Sequence, residues 1–357
     1  MDAQQRSPLD LLVRSRPAPA AALATDEPAR LWQARDIERR RAEAFFAFSP
    51  SMNRELAVAM QHVRATGLAL DTVEQEDLRL PQFARHVDDL RRRLDGGLGA
   101  VVLGDIDLDP YSDAETAIVA WAIANYLGRV IRQGLAKDRR IFSVTNQGAA
   151  NKDAIRIGAS SRESAMHTDN GCLEPRSPSY IGLLCVHAAE DGGKSRVISA
   201  ATAHNAMLAR HPDLITALYE PYNFLPPVLH TWPQGPPTIV KPIFESVGGR
   251  MLIHYARVMV EPGMETAGKP LTNRQRAALD ALDGVLADDS LAFTYQLKPG
   301  EMLVIDNEAT VHGRTAFVDG ATPDAKRLLQ RVWMWRRHGV IGNDPVRLDA
   351  LEFGDVN

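Results

Sequence analysis

Tyr180-Ile181-Gly182-Leu183-Leu184-Cys185-Val186-His187-Ala188 is the stretch whose reading decides the fold class. It is apolar and β-favouring, and it ends at Asp191-Gly192-Gly193, a turn signal. Residues 195–199 then read as the returning strand of a hairpin. Downstream, residues 250–260, 291–297, 301–306 and 328–335 carry the same strand character. Helical patterns at residues 201–210 and 273–287 interrupt them. Many short strands joined by turns predict a sandwich or barrel.

Upstream the pattern changes. Gly96-Gly97 breaks a helical region, and Gly99-Ala100-Val101-Val102-Leu103 reads as a short buried strand. Ser112, with Glu115 three residues on, predicts the N-cap of a helix running to about residue 127. Residues 28–95 read as helical, with Phe83, Val87, Leu90 and Leu94 on one stripe. The expected organisation is a flexible leader over residues 1–27, a helical N-terminal layer over 28–95, and a strand-rich catalytic domain over 96–357. The boundary near residue 96 is a change of layer, and the helices are expected to cover the strands as one compact unit.

Composition narrows the function. Of 357 residues, 45% are hydrophobic and 24% charged, as in a globular enzyme, and the net charge of −4 leaves no basic footprint for nucleic acid. No apolar run is long enough to suggest a membrane span. The first 30 residues lack the layout of a secretory signal. Cys172 and Cys185 form no paired framework, so a reducing, cytoplasmic setting is expected. The sequence carries no signal of oligomeric state.

Chemistry first shows in His-x-Asp, which occurs three times. His86-Val87-Asp88 lies in a charged helix, and His211-Pro212-Asp213 suits a helix start. His167-Thr168-Asp169 instead lies in a polar loop ahead of the strand at Tyr180, where a rigid scaffold presents chemistry. Two histidines and one carboxylate on one side of a metal leave three positions open, the arrangement of non-heme iron oxygenases.

Several segments, in order, carry a resemblance: His167-Thr168-Asp169-Asn170-Gly171; Leu183-Leu184-Cys185; Asp191-Gly192-Gly193-Lys194-Ser195; the run from Leu297-Lys298-Pro299-Gly300-Glu301 to Asp306-Asn307; Val311-His312-Gly313-Arg314-Thr315-Ala316-Phe317; and Arg327-Leu328-Leu329-Gln330-Arg331. Over residues 97–337 the chain resembles the taurine dioxygenase and clavaminate synthase-like superfamily of iron(II)- and 2-oxoglutarate-dependent oxygenases. The fold implied is mainly β with flanking helices: a double-stranded β-helix (jelly-roll) core plus the N-terminal helical layer. The ligands implied are His167, Asp169 and His312, with 145 positions (312 minus 167) between the histidines. His187, His204, His230 and His254 have no comparable context.

The far carboxylate of 2-oxoglutarate needs a buried cation, and arginine grips a carboxylate with two parallel hydrogen bonds. By strand alternation Arg327, Leu329, Arg331, Trp333 and Trp335 share one face. The resemblance assigns Arg327 and Ser195 to that carboxylate; Ser195 stands where relatives more often carry Thr. It assigns Arg331 to an anionic group of the substrate. The other reading of Arg331 is an internal ion pair, for instance with Asp306. Asn170 and Arg156, with Asn146, Asn151 and Arg162, lie in or beside a loop expected to cap the site. Tyr255 and Arg257 either line the barrel or pack.

The activity implied is hydroxylation of an unactivated C–H bond in a small polar substrate, anionic or amino-acid-like, with dioxygen and 2-oxoglutarate as cosubstrates. The Asp169 carboxylate argues against halogenation, where relatives replace it. Desaturation or ring formation share the same oxidant. A zinc hydrolase and a non-enzymatic cupin-like sensor are the readings from other classes, and neither gives Arg327 and Ser195 a task.

Overall fold

The fold is described from a computed structural model, over residues 24–133, 139–146, 160–171, 177–226, 237–322, 325–337, 339–341 and 344–346. Strands β1 (Phe45–Ala47), β2 (Ala100–Gly104), β3 (Arg129–Ile131), β4 (Ile141–Thr145), β5 (Ser164–His167), β6 (Tyr180–His187), β7 (Ser195–Ser199), β8 (Phe293–Tyr295), β9 (Met302–Asp306), β10 (Thr310–Arg314) and β11 (Leu328–Trp335) build the two principal sheets. The larger, seven-stranded sheet runs β1-β2-β9-β6-β11-β3, with β4 also paired to β11. The smaller has four strands in the order β8-β7-β10-β5.

The two sheets face each other. Ile181 and Cys185 on β6, Leu303 and Ile305 on β9, and Leu329 on β11 meet Val197 of β7 and Phe293 of β8 in one buried cluster. Helices α1 (Pro50–Thr66), α2 (Val87–Asp95) and α3 (Asp113–Leu127) cover the outer face of the larger sheet, packing on Tyr180, Leu184, Val332 and Met334. Helices α4 (Ala200–Arg210) and α5 (Asn273–Leu286) cover the smaller one, against Ile198 and Val311. The order is therefore helices, sheet, sheet, helices. Strands buried on both faces favour near-continuous apolar runs, and β6 up to Val186 and β9 up to Ile305 have them, whereas β7 buries Ser195, Arg196 and Ser199 around Val197 and Ile198. No helix of the described residues is long and apolar enough to cross a membrane.

Several expected elements are found. Ser112 caps α3 by accepting from the Glu115 N–H, with Glu115 reaching back in a capping box. The Val87, Leu90 and Leu94 stripe is the buried face of α2. Three expectations are corrected. Residues 28–95 are not helical throughout: Phe45–Ala47 is strand β1, paired in parallel with β2 at the edge of the larger sheet. Residues 180–187 and 195–199 are not a hairpin, because β6 and β7 lie in different sheets. Between them Asp191–Gly192 pairs with Phe317–Val318, and Gly192 and Gly193 both take φ of +71°. A Cβ on Gly192 would come within 2.1 Å of the Ala316 carbonyl. Two consecutive left-handed residues against that backbone turn the chain into the facing sheet rather than back along β6. The expected strand over 250–260 also ends early: Arg250–Ile253 is extended, and Arg257–Thr266 is helical. Arg257 is held there by Glu261, Asp280 and Asp283, so it packs and does not line the interior.

A buried ionic cluster ties the outer parts to the end of β9. Asp306 is fully buried and contacts Arg30 at 2.9 Å, Arg250, and Arg336 at 3.6 Å. Arg336 also reaches Glu308 at 2.7 Å and Asp95 at 2.8 Å. Within residues 24–27, Thr25 donates its N–H to Asn205 Oδ1 and the Glu27 carboxylate accepts from the Met251 N–H.

Candidate active site

His167 ends β5 and His312 is the middle residue of β10; in the antiparallel register they are direct partners. The smaller sheet thus brings together two histidines far apart in sequence, with ring centroids 4.5 Å apart. Asp169, two residues past His167, completes a group whose ligand atoms all lie within 4.8 Å of one another. Asp169 Oδ1 is 3.2 Å from His167 Nε2 and 4.0 Å from His312 Nε2. Ligands at right angles around a first-row metal, at roughly 2.1 Å, stand roughly 3 Å apart. The His167–Asp169 pair has that spacing and the His312–Asp169 pair is wider, and the donor set of two imidazole nitrogens and one carboxylate oxygen is the kind that suits iron(II).

The loop sequence explains its shape. The Thr168 N–H donates to the Tyr255 carbonyl at 2.7 Å, and the Tyr255 N–H donates to Thr168 Oγ1 at 3.0 Å. Asn170 takes a φ of +54°, which asparagine tolerates better than most residues. A Cβ on Gly171 would come within 2.3 Å of Thr168 Oγ1. Asn307 clamps the Asp169 main chain from both sides: the Asp169 N–H donates to Asn307 Oδ1 and Asn307 Nδ2 donates to the Asp169 carbonyl, both at 2.8 Å.

The second carboxylate oxygen of Asp169 is held as well. Oδ2 accepts from Arg331 Nη1 at 3.0 Å and from Trp333 Nε1 at 2.9 Å. Gln133 Oε1 in turn accepts from Arg331 Nε at 3.0 Å. Arg331 is thus in an internal ion pair, with Asp169 rather than Asp306. Burial alone raises the Asp169 carboxyl, but Arg331 and the His167 hydrogen bond outweigh it and hold the group far below the usual carboxylate range. Burial, reinforced by the neighbouring His167, pushes His312 down to about 3, so it is neutral at pH 7. For His167, burial works downward, but the hydrogen bond to Asp169 prevails and raises it. His167 Nδ1 lies 2.8 Å from the Ala165 carbonyl, which favours the tautomer with Nε2 free for a metal.

Arg327, ahead of β11, is 3% exposed, and its Nη1 has no hydrogen-bond partner among the described residues. Burial pushes its guanidinium down to about 10. A Cβ on Gly193 would stand 3.0 Å from Arg327 Nε, so the turn glycine makes room for the arginine. Ser195 is buried on β7, opposite Arg314 of β10 and Tyr295 of β8. Arg314 is itself 8% exposed, and it lies within 4.4 Å of the Phe317 ring centroid, as Arg327 does within 5.1 Å.

Of the other candidates, Asn170 is in the ligand turn, where its carbonyl accepts from the Ser177 hydroxyl at 2.8 Å. Asn146 donates to Asp319 at 3.1 Å, and the Arg162 carbonyl accepts from Arg314. Tyr255 is buried against the outer helices. Arg156, Asn151, His230 and Cys172 lie outside the described residues. His187, His204 and His254 pair with Asp113, Tyr219 and Glu245, away from the metal group. Sequence reading gave no role to Asn307, Trp333, Gln133 or Arg314. Trp333 was legible as sharing a face with Arg331; Gln133 carried no signal, because its contact is made by the fold.

A three-ligand metal face beside a buried cation defines a 2-oxoglutarate-dependent non-heme iron oxygenase. The chain belongs to the taurine catabolism dioxygenase TauD, TfdA family, whose model matches residues 64–333. It is 25% identical over 310 residues to FR-33289 synthase of Streptomyces rubellomurinus, covering 85% of this chain and 88% of that one. It is 27% identical over 262 residues to L-asparagine oxygenase of Streptomyces coelicolor, covering 68% and 73%. Among solved structures, asparagine oxygenase in complex with Fe(II), 2S,3S-3-hydroxyasparagine and succinate superposes with a TM-score of 0.66 at 20% identity, over 82% of this chain and 93% of that one. The enzyme is an iron(II)- and 2-oxoglutarate-dependent dioxygenase.

Proposed function

We propose that this dioxygenase hydroxylates an unactivated C–H bond of a small amino-acid-like substrate, and that the two facing sheets are the halves of a jelly-roll core working as one unit with the helices of residues 28–95. The observation that carries the reading is the pairing of His167 with His312 and Asp169 in an interior that also holds buried Arg327, whose Nη1 has no hydrogen-bond partner among the described residues. The substrate class rests on the relatives named for asparagine.

His167, Asp169 and His312 hold the iron. When bound, iron(II) couples oxidative decarboxylation of 2-oxoglutarate by dioxygen to oxidation of the substrate. Arg327, with the Ser195 hydroxyl, takes the far carboxylate of 2-oxoglutarate. Trp333 and Arg331 engage Asp169 Oδ2, leaving Oδ1 to the metal, and the remaining edge of Arg331 offers a cation to the substrate's carboxylate. Asn170 stands in the ligand turn as a further polar contact, with Arg156 on the sequence assignment alone. A reducing cytoplasm suits ferrous iron and the free, buried Cys185.

The test is a panel of free L-amino acids and simple anionic metabolites incubated with iron-loaded enzyme, 2-oxoglutarate and air, scored by succinate release and by a mass gain of one oxygen. The expected result is one or a few amino acids giving both, in equal amounts. Coupled turnover confined to substrates without an amino-acid backbone contradicts the substrate class.

A further inference from the structure

Arg314 has no task in the reading above. It is two residues past His312 on β10, and strand alternation puts both on one face. The neighbours confirm which face. A Cβ on the intervening Gly313 would meet Met166, which belongs to the outer cluster under α4 and α5. Val197, opposite His312, belongs to the cluster between the sheets. Arg314 therefore enters the interior, roughly 6.6 Å along the strand from His312, facing Ser195.

Its charge is not matched there. Arg314 Nη2 donates to the carbonyls of Ser160, at 3.0 Å, and Arg162, while Nη1 has no hydrogen-bond partner among the described residues. Arg327 is in the same condition, and both guanidiniums press on Phe317. Asp319 is the one carboxylate near both among the described residues, and it already accepts from the Arg327 N–H at 2.8 Å and from Asn146. Two buried cations against one carboxylate leave one positive charge, which costs heavily unless an anion enters. One carboxylate makes the count even.

We propose that Arg314 is a second cosubstrate-binding cation: the far carboxylate of 2-oxoglutarate is gripped jointly by Arg314 and Arg327. The inference rests on the 2-oxoglutarate reading and adds a residue to it. A joint grip makes discrimination for a dicarboxylic keto acid steeper than one arginine gives, since each charged hydrogen bond adds to it.

The test compares 2-oxoglutarate with 2-oxopentanoate, which has the same keto-acid head and chain length but no far carboxylate. Both are titrated anaerobically into iron(II)-loaded wild-type and Arg314→Met protein, and dissociation constants are read by calorimetry. The expected result is a loss of about tenfold or more for 2-oxoglutarate in Arg314→Met, with 2-oxopentanoate changed less than twofold. Arg314 also staples the segment before β5, and a purely structural role weakens both acids alike; equal loss, or no loss for either, overturns the proposal. If Arg314→Met does not fold, Arg314→Lys carries the same comparison, because it keeps the charge and loses the fork. Failure of wild-type protein to prefer 2-oxoglutarate strikes the cosubstrate reading itself and is distinct from failure in the variant alone.

Discussion

Two groups of buried arginines occupy this molecule, and they differ in one respect. Around Asp306, Arg30, Arg250 and Arg336 meet Asp306, Glu308, Asp95 and Glu27, three cations to four carboxylates. Between the sheets, Asp319 is the one carboxylate that Arg314 and Arg327 share among the described residues. The first group is closed upon itself and joins the N-terminal segment, the Arg250 strand and the end of β11. The second holds one cation more than carboxylate among the described residues. Buried charge is thus matched in one group and in excess in the other, and that excess is what supports the proposed cosubstrate site.

The largest expected effect breaks the matched group. Asp306→Asn leaves three arginines facing fewer charges and should cost about 3–5 kcal/mol of stability, read as a fall in melting temperature. The same group sets the acid limit. Burial raises the Asp306 carboxyl, but Arg250, Arg30 and Arg336 bring it down to about 2, below its unfolded value. A depressed folded pKa means stability present above about pH 4 and lost as pH falls toward 2, so wild-type protein should lose stability steeply in that window and Asp306→Asn should lose less.

Next comes the unmatched group, where the sign reverses. Arg327→Met should leave the cosubstrate-free protein as stable as wild type or more so, since it removes the cation in excess of Asp319. Its 2-oxoglutarate affinity should fall by about ten- to a hundredfold, measured by anaerobic titration. A marked loss of stability without cosubstrate would erase the contrast between the two groups. The smallest effect sharpens the metal end: Trp333→Phe takes one donor from Asp169 Oδ2 and should weaken iron(II) binding by about tenfold, measured by competition with a chelator.

Much of this was legible in the chain. The runs that became β6 and β9 are apolar almost throughout, and the Ser112–Glu115 box announces α3. His167, Asp169 and His312 were legible as a set because their spacing matches a family pattern, and the structure brings them together. What sequence could not give is partnership. Gly192 and Gly193 look like a hairpin turn, but their joint left-handed conformation against Ala316 sends the chain to the other sheet. Residues 250–260 are apolar and β-favouring, but the tertiary setting ends the strand at Ile253 and lets a helix begin at Arg257. Arg331 could be seen to face inward, yet its partner Asp169 is 162 residues away and only the register of β11 against its neighbours supplies it. The contact of Gln133 with Arg331 and the place of Arg314 opposite Ser195 come from the same cross-strand geometry.

The central claim is that the His167, Asp169 and His312 face and the unmatched arginine pocket serve one ligand, 2-oxoglutarate chelated to iron(II). Anaerobic optical titration of the full-length protein with iron(II) and then 2-oxoglutarate tests it most directly. The account predicts a weak visible charge-transfer band that saturates at one equivalent of 2-oxoglutarate. With iron shown to be bound, absence of that band would contradict it.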